Sequence, residues 1–304
     1  MKKQLLSNRA RIKTRVRETL SMTAVYGLLA VFGFVFVYPL IYIILVSFMP
    51  PEDMFNPSVR FLPSAFSLDN YALLFERINF FKSIGYSVFL AGTSAALQSF
   101  ACGLMGFALS RYSFKLKKLY LLLILACFII PSQVTMIPAY LGFSRLKLTG
   151  SPLAFFIPAI LCQGFKSPIF ILIFYSFFNS IPKALDEAGE IDGASPARIF
   201  FSILVPLALP AFTLSFLFSF VWYWNETYLT VIYIGNSAKT LLNQMGGVLS
   251  TLANEAIRDP LASKINVPVY MASAALCIAP LLALYIVMQR QFVESVDRAG
   301  ITGE

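Results

Sequence analysis

Residues 187–210 read EAGEIDGASPARIFFSILVPLALP, a polar element that interrupts an otherwise apolar chain. A helix is predicted over residues 183–192, because good helix formers follow one another there and acidic residues near its start suit the helix dipole. Gly193 ends this helix. Ser195 followed by Pro196 predicts an N-cap and the first position of a second helix. The stretch therefore predicts two helices joined by a tight bend at the edge of the apolar part of the chain.

The composition places this element in a membrane protein. Of the 304 residues, 58% are hydrophobic and 13% are charged, and the mean hydropathy is +0.74. A soluble globular domain does not have this balance. The net charge of +9 could suggest nucleic acid, but the basic residues cluster at the edges of apolar runs, so we expect a membrane lipid environment and no nucleic acid partner. The predicted fold class is an all-α membrane protein.

Six runs with few or no charges predict six transmembrane helices. They lie at about residues 20–49, 83–110, 119–143, 152–181, 200–234 and 267–289. Together they form a transmembrane domain over residues 19–292, between a basic arm at 1–18 and a polar tail at 293–304. The first run is long enough to cross a bilayer, so we expect a retained span and not a cleaved signal peptide. Prolines inside several runs predict kinks or breaks.

The distribution of Lys and Arg predicts the orientation. With the first residues inside, fifteen of the 24 Lys and Arg residues fall in inner segments, eight fall in outer segments, and Lys166 lies within a span. The positive-inside rule then puts both termini and residues 187–196 in the cytoplasm. The outer loops at about 50–82 and 235–266 could receive a soluble binding protein, or they could be plain connections.

The opening stretch resembles the EAA loop of ABC importer permeases, in particular the six-helix carbohydrate type that includes the smaller permease of the maltose importer. The matching residues are Glu187, Ala188, Gly193, Ile203 and Pro206. The triplet at 192–194, which is Asp192, Gly193 and Ala194, also looks like the carbohydrate branch. The motif is long and its spacing is constrained, so it predicts the fold of a type I importer permease with a cytoplasmic coupling helix in a loop at about 182–206.

Two positions depart from the usual pattern. Gly189 stands where a second Ala is usual and Val205 where Leu is usual. Glycine should weaken the first helix by roughly 1 kcal/mol relative to Ala. Small residues along this helix, at 184, 188, 189 and 194, leave room for a partner's cleft to close around the backbone. An ordinary cytoplasmic loop with a short interfacial helix is the alternative.

The resemblance implies a set of partners. The ATPase-docking residues would be Glu187, Ala188, Gly189, Asp192, Gly193, Ala194 and Pro206. In this family, the short helix sits in a cleft of an ATPase subunit, of which the importer has two. A second permease completes the pathway, and an extracytoplasmic binding protein delivers the sugar. The second permease is expected to be a homologous but different chain.

Histidine and the common catalytic and phosphate-binding motifs are missing from the sequence. The chain has no histidine, and GxxxxGK[ST], GxSxG and HExxH do not occur. Its four cysteines are isolated in apolar runs, so they predict small core residues and not a metal site. We therefore expect no catalytic residue, metal or cofactor in this chain, and we place ATP and magnesium on the partner ATPases.

Polar residues inside two predicted spans are candidates for the substrate pathway. Trp222, Trp224, Asn225 and Glu226 lie within five residues in the fifth span. Aromatic faces stack on sugar rings, and amides and carboxylates bind hydroxyl groups. The same residues could instead be interfacial anchors or a core ion pair. Lys166, in the sequence GFKSP, could point into the pathway or extend to the membrane surface.

The predicted function is a permease subunit of an importer that moves a sugar, with an oligosaccharide favoured, across the plasma membrane by alternating access. A sugar phosphate or a polyol is an alternative substrate, although few intramembrane cations besides Lys166 are available for a phosphate. An ion-coupled secondary transporter with Glu226 as its ion site is an alternative of a different class. That reading leaves the pattern at 187–206 unexplained.

Overall fold

The structure is a computed structural model that describes residues 2–59, 61–235, 238–258 and 260–301. Every regular element in these ranges is helical. The α-helices are α1 Lys2–Ser47, α2 Asp69–Arg77, α3 Phe80–Arg111, α4 Lys117–Ile129, α5 Ser132–Arg145, α6 Leu153–Ile160, α7 Ser167–Ser180, α8 Ala184–Ile191, α9 Pro196–Ile199, α10 Val205–Leu207, α11 Leu209–Asn225, α12 Tyr228–Ile234, α13 Leu241–Arg258 and α14 Pro260–Ile301. A 3₁₀ turn covers Pro51–Phe55, and a π-helical turn covers Phe200–Leu204.

By length and composition, three described helical segments can each cross a membrane: Ser21–Ser47, Phe80–Arg111 and Val267–Gln291. Three further pairs of helices pass the same test but are bent by 74° to 100° at a short break. The described chain therefore has between three and six spans on these criteria. The chain does not form six unbroken helices, because three of the six predicted runs, 119–143, 152–181 and 200–234, are each divided into shorter helices.

Two of the predicted runs are divided at residues with a specific backbone property. Pro131 lies between α4 and α5, and proline can neither donate the next helical hydrogen bond nor fit the preceding turn. Between α6 and α7, Cys162 and Lys166 adopt left-handed backbone angles of φ 58° and 55°. Non-helical backbone at membrane depth needs a partner for its polar groups. Gln98 of α3 supplies one, since its Nε2 donates to the Phe165 carbonyl at 2.7 Å.

The chain divides into two compact units, Met1–Leu74 with Leu252–Leu276, and Phe75–Thr251 with Cys277–Glu304. In the second unit, α3 packs against α6, α7 and α11. The buried core there is rich in phenylalanine, and Phe174 and Phe178 of α7 are fully buried. Gly106 brings the backbones of α3 and α7 together, because a Cβ at this position would lie 2.9 Å from the Tyr175 nitrogen.

The first unit holds an ordered segment after α1. Asn70 of α2 is buried, and its Nδ2 donates to the carbonyls of Ser47 and Met49, both at 2.9 Å. These carbonyls lie at the end of α1, where helical partners run out. The Asp53 carboxylate accepts from the backbone and hydroxyl of Ser64 at 2.8 and 2.5 Å. Specific hydrogen bonds thus hold the described residues around Asp53, Ser64 and Asn70.

Candidate functional site

The bend predicted after the first helix of the opening stretch is confirmed. Helix α8 ends at Ile191, and Gly193 has φ +76°, a conformation that glycine adopts at no steric cost. The Ala194 N–H donates back to the Gly189 carbonyl at 2.9 Å. The predicted N-cap is confirmed as well, since the Ser195 hydroxyl accepts from the Arg198 N–H at 3.3 Å. These features depend only on neighbouring residues.

Gly189 serves packing inside the chain. It is buried, and a Cβ at this position would lie 3.2 Å from both Ile199 and Ile203. The small size of this residue is therefore used for packing within the chain, and its contact with a partner stays a prediction. The face of α8 that carries Gly189 lies against the segment that follows it, so Gly189 lets α8 approach that segment closely.

Aromatic packing attaches this segment to the core. Phe200 is almost completely buried, and its ring centroid lies 4.9 Å from that of Phe107 on α3 and 6.3 Å from that of Phe178 on α7. The following π-helical turn ends with the Val205 N–H bonded to the Phe200 carbonyl. Pro206 comes directly after it, and a widened turn is one way to accommodate a proline that cannot donate.

The opposite side of α8 is uncovered. Glu187, Ala188, Asp192 and Gly193 are exposed, as is Pro206, and Ala194 is half-buried. Two large apolar residues that the sequence reasoning missed lie among them, since Leu185 is 41% exposed and Ile191 is 87% exposed. The four-residue spacing of Glu187 and Ile191 places these two side chains on one side of the helix, away from Gly189. An exposed apolar residue with acidic neighbours is typical of a protein-binding surface.

The two tryptophans of the fifth run are engaged in packing. Trp224 is 3% exposed, its Nε1 donates to the Cys277 carbonyl of α14 at 3.2 Å, and its ring stacks on Phe220 with centroids 5.8 Å apart. Trp222 is partly buried beside Phe170, with ring centroids 5.4 Å apart. Their rings thus contact the protein itself.

Glu226 and Asn225 lie at the break between α11 and α12. The Glu226 Oε1 accepts from the Leu229 N–H at 2.8 Å, which is the contact of an N-terminal helix cap. Its backbone carbonyl accepts from the Thr230 hydroxyl at 2.5 Å. Asn225 is exposed, although its Nδ2 donates to the Val221 carbonyl at 2.9 Å. The carboxylate therefore has a structural use that the sequence did not indicate.

Lys166 is exposed at the start of α7, away from these residues in the sequence. Its Nζ lies 5.5 Å from the centroid of the Phe128 ring, in cation–π range. A positive charge at the N-terminal end of a helix is unfavourable for the helix dipole. Within the described ranges, no carboxylate forms an ion pair with it.

Comparison with known proteins identifies the family. Residues 99–298 match the family described as "Binding-protein-dependent transport system inner membrane component". The chain belongs to this family. The family resemblance read from the opening stretch is therefore confirmed, and membership implies an ATPase and a substrate-binding protein as partners. Proteins of this family are inner membrane components, which agrees with the membrane environment that the composition predicted.

Individual relatives match over nearly the whole chain. The chain is 30% identical over 286 residues to a polygalacturonan/rhamnogalacturonan transport system permease protein of Bacillus subtilis, covering 92% of this chain and 97% of the relative. It is 27% identical over 264 residues to an arabinooligosaccharides transport system permease protein of Halalkalibacterium halodurans, covering 86% and 89%.

A solved structure shares the fold. It is the crystal structure of a bacterial ABC transporter involved in the import of the acidic polysaccharide alginate, with a TM-score of 0.72 at 21% identity, covering 88% of this chain and 94% of the matched chain. The predicted fold class, an all-α membrane protein of the type I importer permease kind, is confirmed.

Proposed function

We propose that this protein is a permease subunit of an ABC importer that takes up an oligosaccharide. The uncovered side of α8 carries the proposal. Ile191 exposes apolar area beside Glu187, one helical turn after it, and burying this side chain in a cleft of another protein would stabilise the contact. The named substrates of the relatives, polygalacturonan with rhamnogalacturonan and arabinooligosaccharides, support a saccharide as the cargo.

In this proposal, α8 is the coupling helix and an ATPase subunit covers its exposed side. Glu187, Ala188, Asp192 and Gly193 would contact the ATPase together with Leu185 and Ile191. Gly189 would act indirectly, because it sets how α8 sits on the segment at 199–203. The chain would perform no covalent chemistry itself, and ATP and magnesium would be bound by the ATPases.

The complete importer would contain two ATPases, a second permease and an external binding protein. A single chain of this size would not enclose a pathway, so a homologous second permease would supply the other half. Both termini would be cytoplasmic, on the same side as α8, and the excess of Lys and Arg in the inner segments supports this orientation. Closure of the ATPases on ATP would move α8 and open the pathway to alternate sides.

Two residues at membrane depth are proposed to contact the sugar. Asn225 and Lys166 are exposed and polar, and each lies at a helix break. Glu226 would contribute less, since one of its oxygens caps α12. Trp222 and Trp224 would shape the pathway by packing and would not stack on the sugar. An ion-coupled mechanism at Glu226 receives less support for the same reason.

The experiment that tests this function starts with co-expression of the chain with the ATPase, second permease and binding protein encoded beside it. The purified complex is reconstituted in liposomes, and uptake of labelled oligosaccharides is measured with and without ATP. Ile191→Asp should release the ATPase during purification, because it puts a charge on the docking side. Ile257→Asp on α13 is the matched control, since Ile257 is 80% exposed.

The two possible failures are different. Retention of the ATPase by Ile191→Asp would show that α8 docks elsewhere or not at all. Uptake that follows an ion gradient and ignores ATP would instead refute the importer itself and return attention to Glu226.

A further inference from the structure

Arg111, the last residue of α3, joins three helices through one buried side chain. Its Nε lies 2.5 Å from the Asp186 Oδ2 of α8, and these side chains are only 7% and 15% exposed. Its Nη1 donates to the carbonyls of Phe178 at 2.8 Å and Ile181 at 3.2 Å. These carbonyls lie at the C-terminal end of α7, so the guanidinium connects the ends of α3 and α7 with the first turn of α8.

The position of this cation suits the surrounding backbone. The last carbonyls of a helix lack helical partners and carry a partial negative charge, which a cation stabilises. Asp186 is in the first turn of α8, where a negative charge is favoured. A buried guanidinium that lost this carboxylate would keep an uncompensated charge. The contact therefore fixes where α8 starts relative to α3 and α7.

The ion pair does not have the two-bond geometry in this structure. Arg111 Nε lies at ion-pair distance from Asp186 Oδ2, but Nε, Nη2 and Asp186 Oδ1 are buried and none of the three makes a hydrogen bond of good geometry. A guanidinium and a carboxylate can make two parallel bonds, with greater strength and a fixed orientation. The observed pair does not have this two-bond geometry, so an arrangement other than the observed one is available to it.

We propose that the Arg111–Asp186 pair is the positioning contact that transmits displacement of α8 to α3 and α7 during transport. This role rests on the proposed function of α8 as the coupling helix. Phe107, Phe178 and Phe200 pack on one another and join α3 and α7 to the π-helical turn, but apolar burial is non-directional. The ion pair depends on the relative orientation of its two side chains. When α8 moves, the pair therefore makes α3 and α7 move with it, whereas apolar packing alone would let α8 slide past them.

The test measures the number of sugar molecules imported per ATP hydrolysed by the reconstituted complex. Asp186→Asn keeps the size of the side chain and removes its charge, and it should lower this ratio by roughly tenfold, a size typical of coupling between two sites. The ATPase should still co-purify, because Asp186 is mostly buried. Arg111→Lys keeps the positive charge without the planar fork and should give an intermediate ratio. Glu190→Gln is the matched control, an exposed carboxylate on the same helix.

Each outcome decides a separate question. A wild-type ratio in both Asp186→Asn and Arg111→Lys would overturn the role of the pair while leaving the importer intact. Loss of the ATPase from both variants, with Glu190→Gln unaffected, would make the pair a stabilising contact only and would also overturn the proposal. Absence of ATP-driven uptake by the wild-type complex would refute the importer and, with it, this role.

Discussion

Replacing Gly106 by alanine should separate α3 from α7. The new Cβ would overlap the Phe174 Cβ and would lie 2.9 Å from the Tyr175 nitrogen, whereas ordinary Cβ contacts are 3.4–4 Å. Both atoms belong to the backbone or are fixed to it, so no rotamer change can relieve the contact. The helices must move apart, and overpacking of this kind costs about 1–3 kcal/mol.

Gly85 in the same helix provides the control. Nothing lies within 4 Å of a Cβ at Gly85, so Gly85→Ala gains only the helix propensity of alanine, about 1 kcal/mol. The same gain applies at Gly106, and it cancels when the two variants are compared. The difference in unfolding free energy between them should therefore be the overpacking cost, about 1–3 kcal/mol in favour of Gly85→Ala.

Thermal unfolding of the detergent-purified protein checks this difference. Gly85→Ala should melt above the wild type, and Gly106→Ala should melt below Gly85→Ala. Gly103→Ala provides a contrast to Gly106→Ala, because the added Cβ would lie 2.5 Å from the end of the flexible Phe212 side chain. Phe212→Leu should reduce the cost at Gly103, and no such rescue exists at Gly106. Equal melting of Gly85→Ala and Gly106→Ala would refute the close approach of α3 and α7.

Substitutions at three further residues test other contacts. Glu226→Gln keeps an acceptor for the Leu229 N–H and should retain sugar uptake, whereas Glu226→Ala should lower stability by about 0.5–2 kcal/mol in thermal unfolding. Tyr223→Phe removes the donor to the buried Gln98 Oε1, which lies 2.6 Å from the hydroxyl, and should cost about 1–3 kcal/mol in the same assay. Asn70→Leu should leave carbonyls at the end of α1 unpaired and speed proteolysis of the segment at 51–67.

The contrary results are equally specific. Loss of uptake in Glu226→Gln would favour the ion-coupled alternative, because only ionisation differs from the wild type. An unchanged melting temperature in Tyr223→Phe would show that another donor reaches Gln98. Unchanged cleavage in Asn70→Leu, compared with the wild type, would show that the segment is held by other contacts.

The features that sequence reasoning predicted correctly are local. The end of α8 at Gly193 and the cap at Ser195 depend on one backbone angle and one hydroxyl, and both can be read from residues less than five positions apart. Membership of the permease family followed from a motif confined to residues 187–206. The number of spans stays a prediction, because three of the predicted runs are divided between helices and one of the bent pairs joins α7 to α8.

The features it missed depend on distant residues. Arg111 is 75 positions from Asp186 in the sequence and counted only as one more positive charge at the edge of an apolar run. The use of Trp224 depends on a carbonyl 53 residues away. Gly189 was interpreted from its helix propensity and its small size, but its burial is decided by two isoleucines of the next segment.

The sequence alone therefore determined that this is an all-helical membrane protein with a bent polar element between apolar runs. The composition determines that the chain lies in a membrane. Turn and cap residues determine where helices end, because they act on neighbouring residues. The tertiary structure decided which side of α8 is exposed and which ion pair connects α8 to the rest of the chain. It also decided which polar side chains are occupied by contacts within the protein. These depend on where helices far apart in the chain meet, and hydrophobic patterning cannot specify which buried side chain faces which.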